Sequence, residues 1–120
     1  MESMNRILIT QVYASLLSLE KRLHDVKQML ASAKIKHADI EEMIPEYEKA
    51  ISKMRKSANL LQLHIAKKDW DNIVRSMETF YGLSYLIRGD VLTAYGRLQR
   101  KEAPDTKPKF SLSLKEARYH

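Results

Sequence analysis

The chain has 120 residues, of which 44% are hydrophobic, 30% charged and 8% aromatic, and its formal net charge is +6. This length and balance predict one soluble domain with a modest hydrophobic core. Three glycines and three prolines are too few for a β-sandwich or barrel, and the lack of cysteine excludes disulfides, thiolate zinc sites and cysteine nucleophiles.

The N-terminus and the hydropathy pattern predict where the protein resides. Residues 1–6 lack the basic segment that opens a signal peptide, and Thr10, Gln11 and Ser15 interrupt the apolar residues that follow. No apolar run is long enough for a membrane-spanning helix. We therefore expect a cytoplasmic protein that has no membrane partner.

The first half of the chain carries a helical pattern. Apolar residues recur alternately three and four positions apart from Ile9 to Ile65 in one heptad register, in which His37 keeps the phase. His37 is then either a polar residue that sets the register or part of a loop. The pattern allows two structures: one very long coiled-coil helix, or two helices that form a hairpin near residues 35–44.

Pro45 favours the hairpin. Inside a helix a proline removes a hydrogen bond and clashes with the preceding turn at a cost of ~3 kcal/mol, whereas in the first turn it costs little. Asp39 followed by Glu42 resembles a capping box, which also indicates a helix start in this region. We therefore predict a first helix over residues 4–34 and a second over residues 41–66.

A third helix is predicted over residues 69–101. The heptad register breaks at Lys68 and Asn72, and Asp69 is a candidate N-cap. The apolar seam of this helix has one polar member: Trp70, Ile73, Met77, Phe80, Ser84, Ile87, Val91, Ala94 and Leu98. The expected fold class is all-α, an elongated antiparallel bundle of three long heptad-patterned helices that forms one domain over residues 1–102.

Residues 103–120 differ in character from the helices. Their two prolines favour an extended linker. Phe110, Leu112 and Leu114 alternate with serines in a strand-like pattern, and no other predicted strand is available to pair with them. The segment is interpreted either as a frayed tail or as a docking segment that covers the bundle or a partner.

The third helix is predicted to be apolar on two sides. The glycines of the chain are spaced by seven residues on the side away from the seam: Gly82, Gly89 and Gly96. Nearby lies a second apolar face: Tyr81, Tyr85, Leu92 and Tyr95. Each glycine costs a helix about 1 kcal/mol relative to alanine. The stripe therefore favours close approach of another helix, either from a second subunit or partner, or from within the bundle itself.

The second helix also carries apolar residues outside its seam. Leu60 and Leu63 lie on its outer side, and three helices leave little to cover them. We predict that they belong to an oligomer or partner interface. Coverage by the segment 110–114 is the alternative.

Basic residues form two groups that could contact nucleic-acid phosphates without reading sequence. One lies on the second helix and the other near the corner that joins it to the third: Lys49, Lys53, Arg55 and Lys56, and Lys67, Lys68 and Arg75. No aromatic residues interleave with them to stack bases. A solvated charged face is the alternative interpretation of either group.

No arrangement of residues predicts catalysis, a cofactor or a metal site. The sequence has no glycine-rich phosphate loop, nucleophile elbow or zinc-protease helix. Glu20 and His24 lie one helical turn apart, but no second Glu–His pair exists to complete a bundle metal site. An exposed interaction between these two side chains is expected instead.

The function that these observations favour is non-catalytic. We expect a helical bundle that self-associates or binds a partner protein, as an adaptor, chaperone or structural subunit. The alternative is an accessory nucleic-acid-binding protein that uses phosphate contacts, because the net charge of +6 favours anionic partners.

Overall fold

The computed structural model describes residues 2–100, with side chains from residue 5 onward. These residues form three helices, α1 (Glu2–Ser32), α2 (Ala38–Ala66) and α3 (Trp70–Gln99). Every pair of helices is in contact, and the bundle measures 51 × 28 × 16 Å. The predicted elongated bundle is confirmed. The predicted tail, with Phe110, Leu112 and Leu114, lies outside the described residues.

A short connection separates the first two helices, which confirms the hairpin. α1 ends at Ser32 and α2 begins at Ala38, three residues before its predicted start. The predicted capping box is wrong. His37 occupies the N-cap position without a side-chain cap bond, and Asp39 accepts a hydrogen bond from Arg97 of α3. An acidic residue in a first turn favours a helix start by charge alone, but its hydrogen-bond partner here lies on another helix.

Pro45 lies inside α2, which corrects its predicted place in the first turn. It is the eighth residue of the helix, and its ring is exposed. Because proline has no N–H, the carbonyl of Glu41 lacks its usual helical donor. Ile44 and Tyr47 on either side of it are buried in the core, and their burial offsets this cost.

The core lies where the predicted seams of the three helices meet. Its largest fully buried side chains come from all three: Val12, Leu16, Val26, Ile40, Tyr47, Met54, Leu61, Phe80, Ile87 and Val91. None of the described helices has a stretch long and apolar enough to cross a membrane.

Trp70 is the one seam residue placed wrongly by the sequence analysis, because it is 60% exposed. A helix turns by about 100° per residue, so a strict alternation of three and four drifts around its axis. On that projection Trp70 lies about 80° from Phe80, which is fully buried. The first residue of the seam has therefore rotated out of the core.

Asp69 caps α3 as predicted. Its carboxylate accepts a hydrogen bond from the backbone N–H of Asn72 at 3.4 Å and another from the side-chain Nδ2 of Asn72 at 2.7 Å. The side-chain bond is the largest cause that lowers the pKa of Asp69. Lys68, the residue before it, has a φ of 55°, a left-handed conformation that closes the turn from α2 to α3.

Candidate interaction surface

The outward side of α3 carries apolar residues that the described chain leaves uncovered. Five of them lie within an arc of about 60° around the helix axis and are defined here as the outer face: Trp70, Val74, Tyr81, Tyr85 and Leu92. Tyr85 is 82% exposed. Isolated exposed apolar residues are ordinary, but a row along ~33 Å of one helix is typical of an interaction site.

Three members of the outer face belong to the apolar face predicted from the sequence, and all three are exposed: Tyr81, Tyr85 and Leu92. Trp70 was predicted for the core instead, and Val74 was not part of any predicted face. The signal for both was their spacing, because Val74 lies seven residues before Tyr81 and four after Trp70. The structure brings these two residues into line with Tyr85 and Leu92, which extends the predicted apolar face to the N-terminal end of α3.

Tyr95, predicted for the same face, lies at its edge and contacts another helix. Its ring is half-buried, and the guanidinium carbon of Arg22 on α1 lies 4.4 Å from the ring centroid. This cation–π contact joins α1 to α3. Tyr95 therefore already serves packing inside the chain.

Gly82 and Gly89 lie beside the outer face, and packing within the described bundle requires neither of them. A Cβ atom added at either position would meet no atom within 4 Å. At Gly96 an added Cβ would lie 3.0 Å from Nη1 of Arg100, the movable end of a long side chain. The interpretation that the glycines accommodate a neighbour inside the bundle thus fails for Gly82 and Gly89.

Two charged side chains border the outer face. Glu78 lies along one edge of the arc and Arg88 along the other, and both are exposed. Neither belongs to an ion pair among residues 5–100. The outer face therefore combines an apolar centre with opposite charges on its two edges.

Leu60 and Leu63 are exposed on α2, as their position outside the seam predicted. They lie near the C-terminal end of that helix, on the outer side of α2 and apart from the outer face of α3. Two leucines form a small patch compared with the five residues on α3. They are therefore a secondary candidate for an interface.

The predicted nucleic-acid contacts differ in their surroundings. Arg55 forms an ion pair with Glu20 of α1. All seven residues are exposed, and the other six form no ion pair among the described residues: Lys49, Lys53, Lys56, Lys67, Lys68 and Arg75. Three of these lie within an arc of about 60° on α2 and are defined here as the lysine face: Lys49, Lys53 and Lys56. None of the three takes part in an ion pair within the described range.

A buried polar cluster joins the start of α2 to the end of α3. Arg97 Nη1 donates a hydrogen bond to Asp39 Oδ2 at 2.7 Å, and both side chains are largely buried. Asp90 and Tyr47 are buried close by. Burial is the largest cause that raises the pKa of Tyr47, and the charges of Asp90 and Asp39 add to it. Tyr47 is therefore a protonated hydroxyl in this cluster.

Sequence analysis did not identify the polar cluster. Asp90 and Arg97 are seven residues apart, which places them on one side of α3, and this was the available signal. Charged residues seven apart are usually solvated, so the spacing alone does not indicate burial. The cluster depends on the position of Asp39 of α2 opposite Asp90 and Arg97, which the three-dimensional structure shows.

An apolar cleft of about 450 Å³ opens at the same end of the bundle. Met29, Ile35 and Leu98 line it together with His37. His37 is buried, and its Nδ1 has no hydrogen-bond partner among the described residues. His37 thus lies between the cleft and the helix start that the Asp39–Arg97 pair holds in place.

The expected contact between Glu20 and His24 is replaced by another. Glu20 accepts a hydrogen bond from Arg55 of α2, whose guanidinium is a stronger and permanently charged donor. Across the described part of the chain, no three histidine, aspartate or glutamate side chains are grouped so that they could hold a metal ion.

Comparisons of this chain with models of protein families, with curated proteins and with solved structures find no match. No residue role can therefore be transferred from a relative.

Proposed function

We propose that this protein is a non-catalytic helical bundle that associates with protein through the outer face of α3. The associated protein is a second copy of the chain or a partner, and the bundle acts as an adaptor, chaperone or structural subunit. The observation that carries the proposal is the uncovered row of five large apolar side chains on one helix.

The composition of the outer face supports this role. Trp70, Tyr81 and Tyr85 are of the residue types that contribute most to the binding energy of protein interfaces. Full burial of one such side chain is worth about 1.5–3 kcal/mol relative to exposure, although only part of this appears as affinity. Gly82 and Gly89 next to them leave room for a second backbone to approach closely.

The test removes the apolar character of the outer face and leaves the core intact. The variant Y85K/L92K is compared with L17K, which changes an exposed leucine on α1. We expect the unmodified chain and L17K to associate with rising concentration in sedimentation velocity, or to enhance the fluorescence of a hydrophobic dye at dilution. Both signals should fall several-fold in Y85K/L92K, while far-UV circular dichroism stays unchanged.

A chain that remains monomeric at high concentration and binds no dye would contradict the proposal. The same holds if Y85K/L92K and L17K lose the signals equally, because the effect would then follow added charge and not the outer face.

A second candidate function is sequence-independent binding of nucleic acid, which the lysine face favours. Its three ammonium groups lie along one exposed side of α2 with no carboxylate partner in the described chain. Each phosphate contact adds to an affinity that falls steeply with salt.

Fluorescence anisotropy of labelled single- and double-stranded RNA and DNA at two salt concentrations tests this candidate. We expect K49E/K53E/K56E to weaken binding by more than tenfold at low salt, since each lost contact adds to the decrease. The matched control is K21E/K34E/K36E, which changes three exposed lysines elsewhere and alters the net charge equally. Equal losses in the two variants would assign binding to net charge, and no binding at low salt would remove the candidate.

A further inference from the structure

We infer that the outer face of α3 binds the outer face of a second copy of this chain. The two α3 helices are antiparallel, and the two-fold axis that relates them crosses the interface at the level of Leu83 along the helix. This inference rests on the proposed function and adds to it the identity of the partner, the direction of packing and the register. The spacing of residues along α3 and their charges support it.

The spacing of the outer face around Leu83 is symmetric. Val74 and Leu92 each lie nine residues from Leu83, so an antiparallel pair centred there places them opposite each other. Tyr81 and Tyr85 lie two residues on either side of it and form the central layer. Apolar side chains of the two copies thus meet in the same layers.

The ends of the face also match in size. Trp70 and Gly96 each lie thirteen residues from Leu83, so the largest side chain of one copy lies opposite a glycine of the other, where the long side chain of Arg100 has to move aside. Met77 and Gly89 share a layer in the same way, six residues from Leu83, but Met77 packs against the core of its own chain. An absent side chain opposite a large one allows close packing of two helices.

The rotation of the helix agrees with this register. Each residue advances about 100°, so a residue and its counterpart across Leu83 lie at nearly equal angles on either side of the centre of the outer face. The face of one copy therefore meets the face of the other along its length. Shifting the register by one heptad in one direction places Leu92 opposite Lys67, a charged residue. A shift in the other direction places Trp70 opposite a position beyond the end of α3.

The charges select the antiparallel direction. Glu78 and Arg88 each lie five residues from Leu83, so opposite charges share a layer twice in the dimer. In a parallel pair each would lie opposite its own copy, and like charges in the same layer are unfavourable. Charge complementarity therefore favours the antiparallel arrangement.

The pairing extends over most of α3 and uses the same surface on both copies. Residues 70–96 find counterparts within the same span, which is 27 of the 30 residues of the helix. The contact is thus ~40 Å long. Because the same surface is used on both copies, the assembly ends at a dimer and does not continue into a filament.

Disulfide cross-linking tests the register, and a chain without cysteine makes the experiment simple. V74C and L92C are prepared separately, mixed at equal concentration and exposed to a mild oxidant. A disulfide requires Cα atoms about 4.4–6.8 Å apart. We expect a cross-linked heterodimer of about 28 kDa, twice the 14.0 kDa of one chain. Each variant alone should stay monomeric in denaturing electrophoresis, because its two cysteines would be ~27 Å apart.

A charge exchange gives a second test that keeps the apolar face intact. E78R alone places arginine opposite Arg88, and R88E alone places glutamate opposite Glu78. Each should weaken dimerisation by about tenfold, since two repulsive layers replace two attractive ones. Mixing E78R with R88E should restore the affinity, because all facing charges are again opposite in the heterodimer.

Three outcomes would overturn the inference: cross-linking of V74C with itself, no cross-link in the V74C–L92C mixture, and equal dimerisation of all the charge variants. A chain that stays at 14.0 kDa at every concentration would also overturn it. If dye binding still falls in Y85K/L92K in that case, the proposed function stands and the occupant of the outer face is another protein. If dye binding is absent as well, both fail.

Discussion

Two regions of α3 reverse the usual distribution of polarity. The buried polar cluster places Asp90 and Arg97 in the interior, whereas the outer face places Trp70 and Tyr85 in solvent. Burying a charge costs several kcal/mol unless it is paired, and leaving a ring in water forgoes its hydrophobic gain. Neither arrangement maximises the stability of a single chain. Each region therefore indicates a requirement other than stability.

The difference between the two regions is where their partners lie. Arg97 pairs with Asp39 on the first turn of α2, so folding of the chain itself supplies this ion pair. The outer face is not covered by any residue of the described chain. A buried ion pair of this kind specifies how two helices align more than it stabilises them. An apolar row that the described chain leaves uncovered is typical of a contact with another molecule, which is the role we propose for it.

The largest expected effect breaks the cluster. Replacing Arg97 by methionine leaves Asp39 buried without its cation, and loss of one partner of a buried pair costs about 3–5 kcal/mol. We expect the free energy of unfolding of R97M, measured by urea denaturation at low protein concentration, to fall by that amount. An R97M variant as stable as the unmodified chain would show that the pair contributes nothing to folding.

The matched control replaces both partners. In D39L/R97M no charge of the pair remains buried, and apolar side chains fill a similar volume. We expect this double variant to recover at least half of the stability lost in R97M. If the double variant is less stable than R97M, Asp39 has a role in the cluster that does not depend on Arg97.

The second expected effect concerns the glycines beside the outer face. Replacing them should raise the free energy of unfolding and weaken association. No described residue outside their own helix lies within 4 Å of a Cβ added at Gly82 or Gly89. The variant G82A/G89A should therefore raise the free energy of unfolding of the monomer by about 1 kcal/mol per site. The same methyl groups should weaken association, because they hold the second helix further away.

The contrast is measured in the same samples, by urea denaturation at dilution and by sedimentation at high concentration. G96A is the comparison, since an added Cβ there meets the end of Arg100 and gives a smaller gain in stability. Tighter association of G82A/G89A would show that the glycines are not used for close approach.

The sequence was sufficient to predict most of the fold. The seams place Leu16, Met54 and Ile87 in the core because burial at helical spacing is a local pattern that the chain shows directly. The start of α2 was predicted three residues late, since Asp39 was interpreted as part of a cap. Its hydrogen bond to Arg97 is a contact between residues 58 positions apart, which no local pattern reveals.

The candidate site was predicted only in part for a similar reason. The glycine stripe and Tyr85 could be recognised from spacing, but spacing does not tell whether another helix of the chain covers them. Trp70 shows the limit clearly, because its apolar character fits a core seam as well as an exposed face. Only the placement of α1 and α2 on the opposite side of α3 showed which residues stay uncovered.

The smallest expected effect concerns Asp69, which caps the end of α3 that carries Trp70 and lies far from the polar cluster. Its pKa lies below the ordinary value of 3.8, chiefly because of the hydrogen bond from Asn72. The stability that the cap contributes is therefore present above that value and is lost as the pH falls through it towards the lower folded pKa. We expect the melting temperature of the unmodified chain to fall between about pH 5 and pH 3 slightly more than that of D69S. The serine caps the helix but does not titrate.

Hydrogen exchange at pH 3 locates the effect. The amide of Ile73 donates to the carbonyl of Asp69 and should exchange faster in the unmodified chain than in D69S, whereas the amide of Leu98 should exchange at the same rate in both. Equal acceleration at both ends would mean that protonating Asp69 loosens the whole of α3, and the outer face could then not be perturbed independently of the cluster.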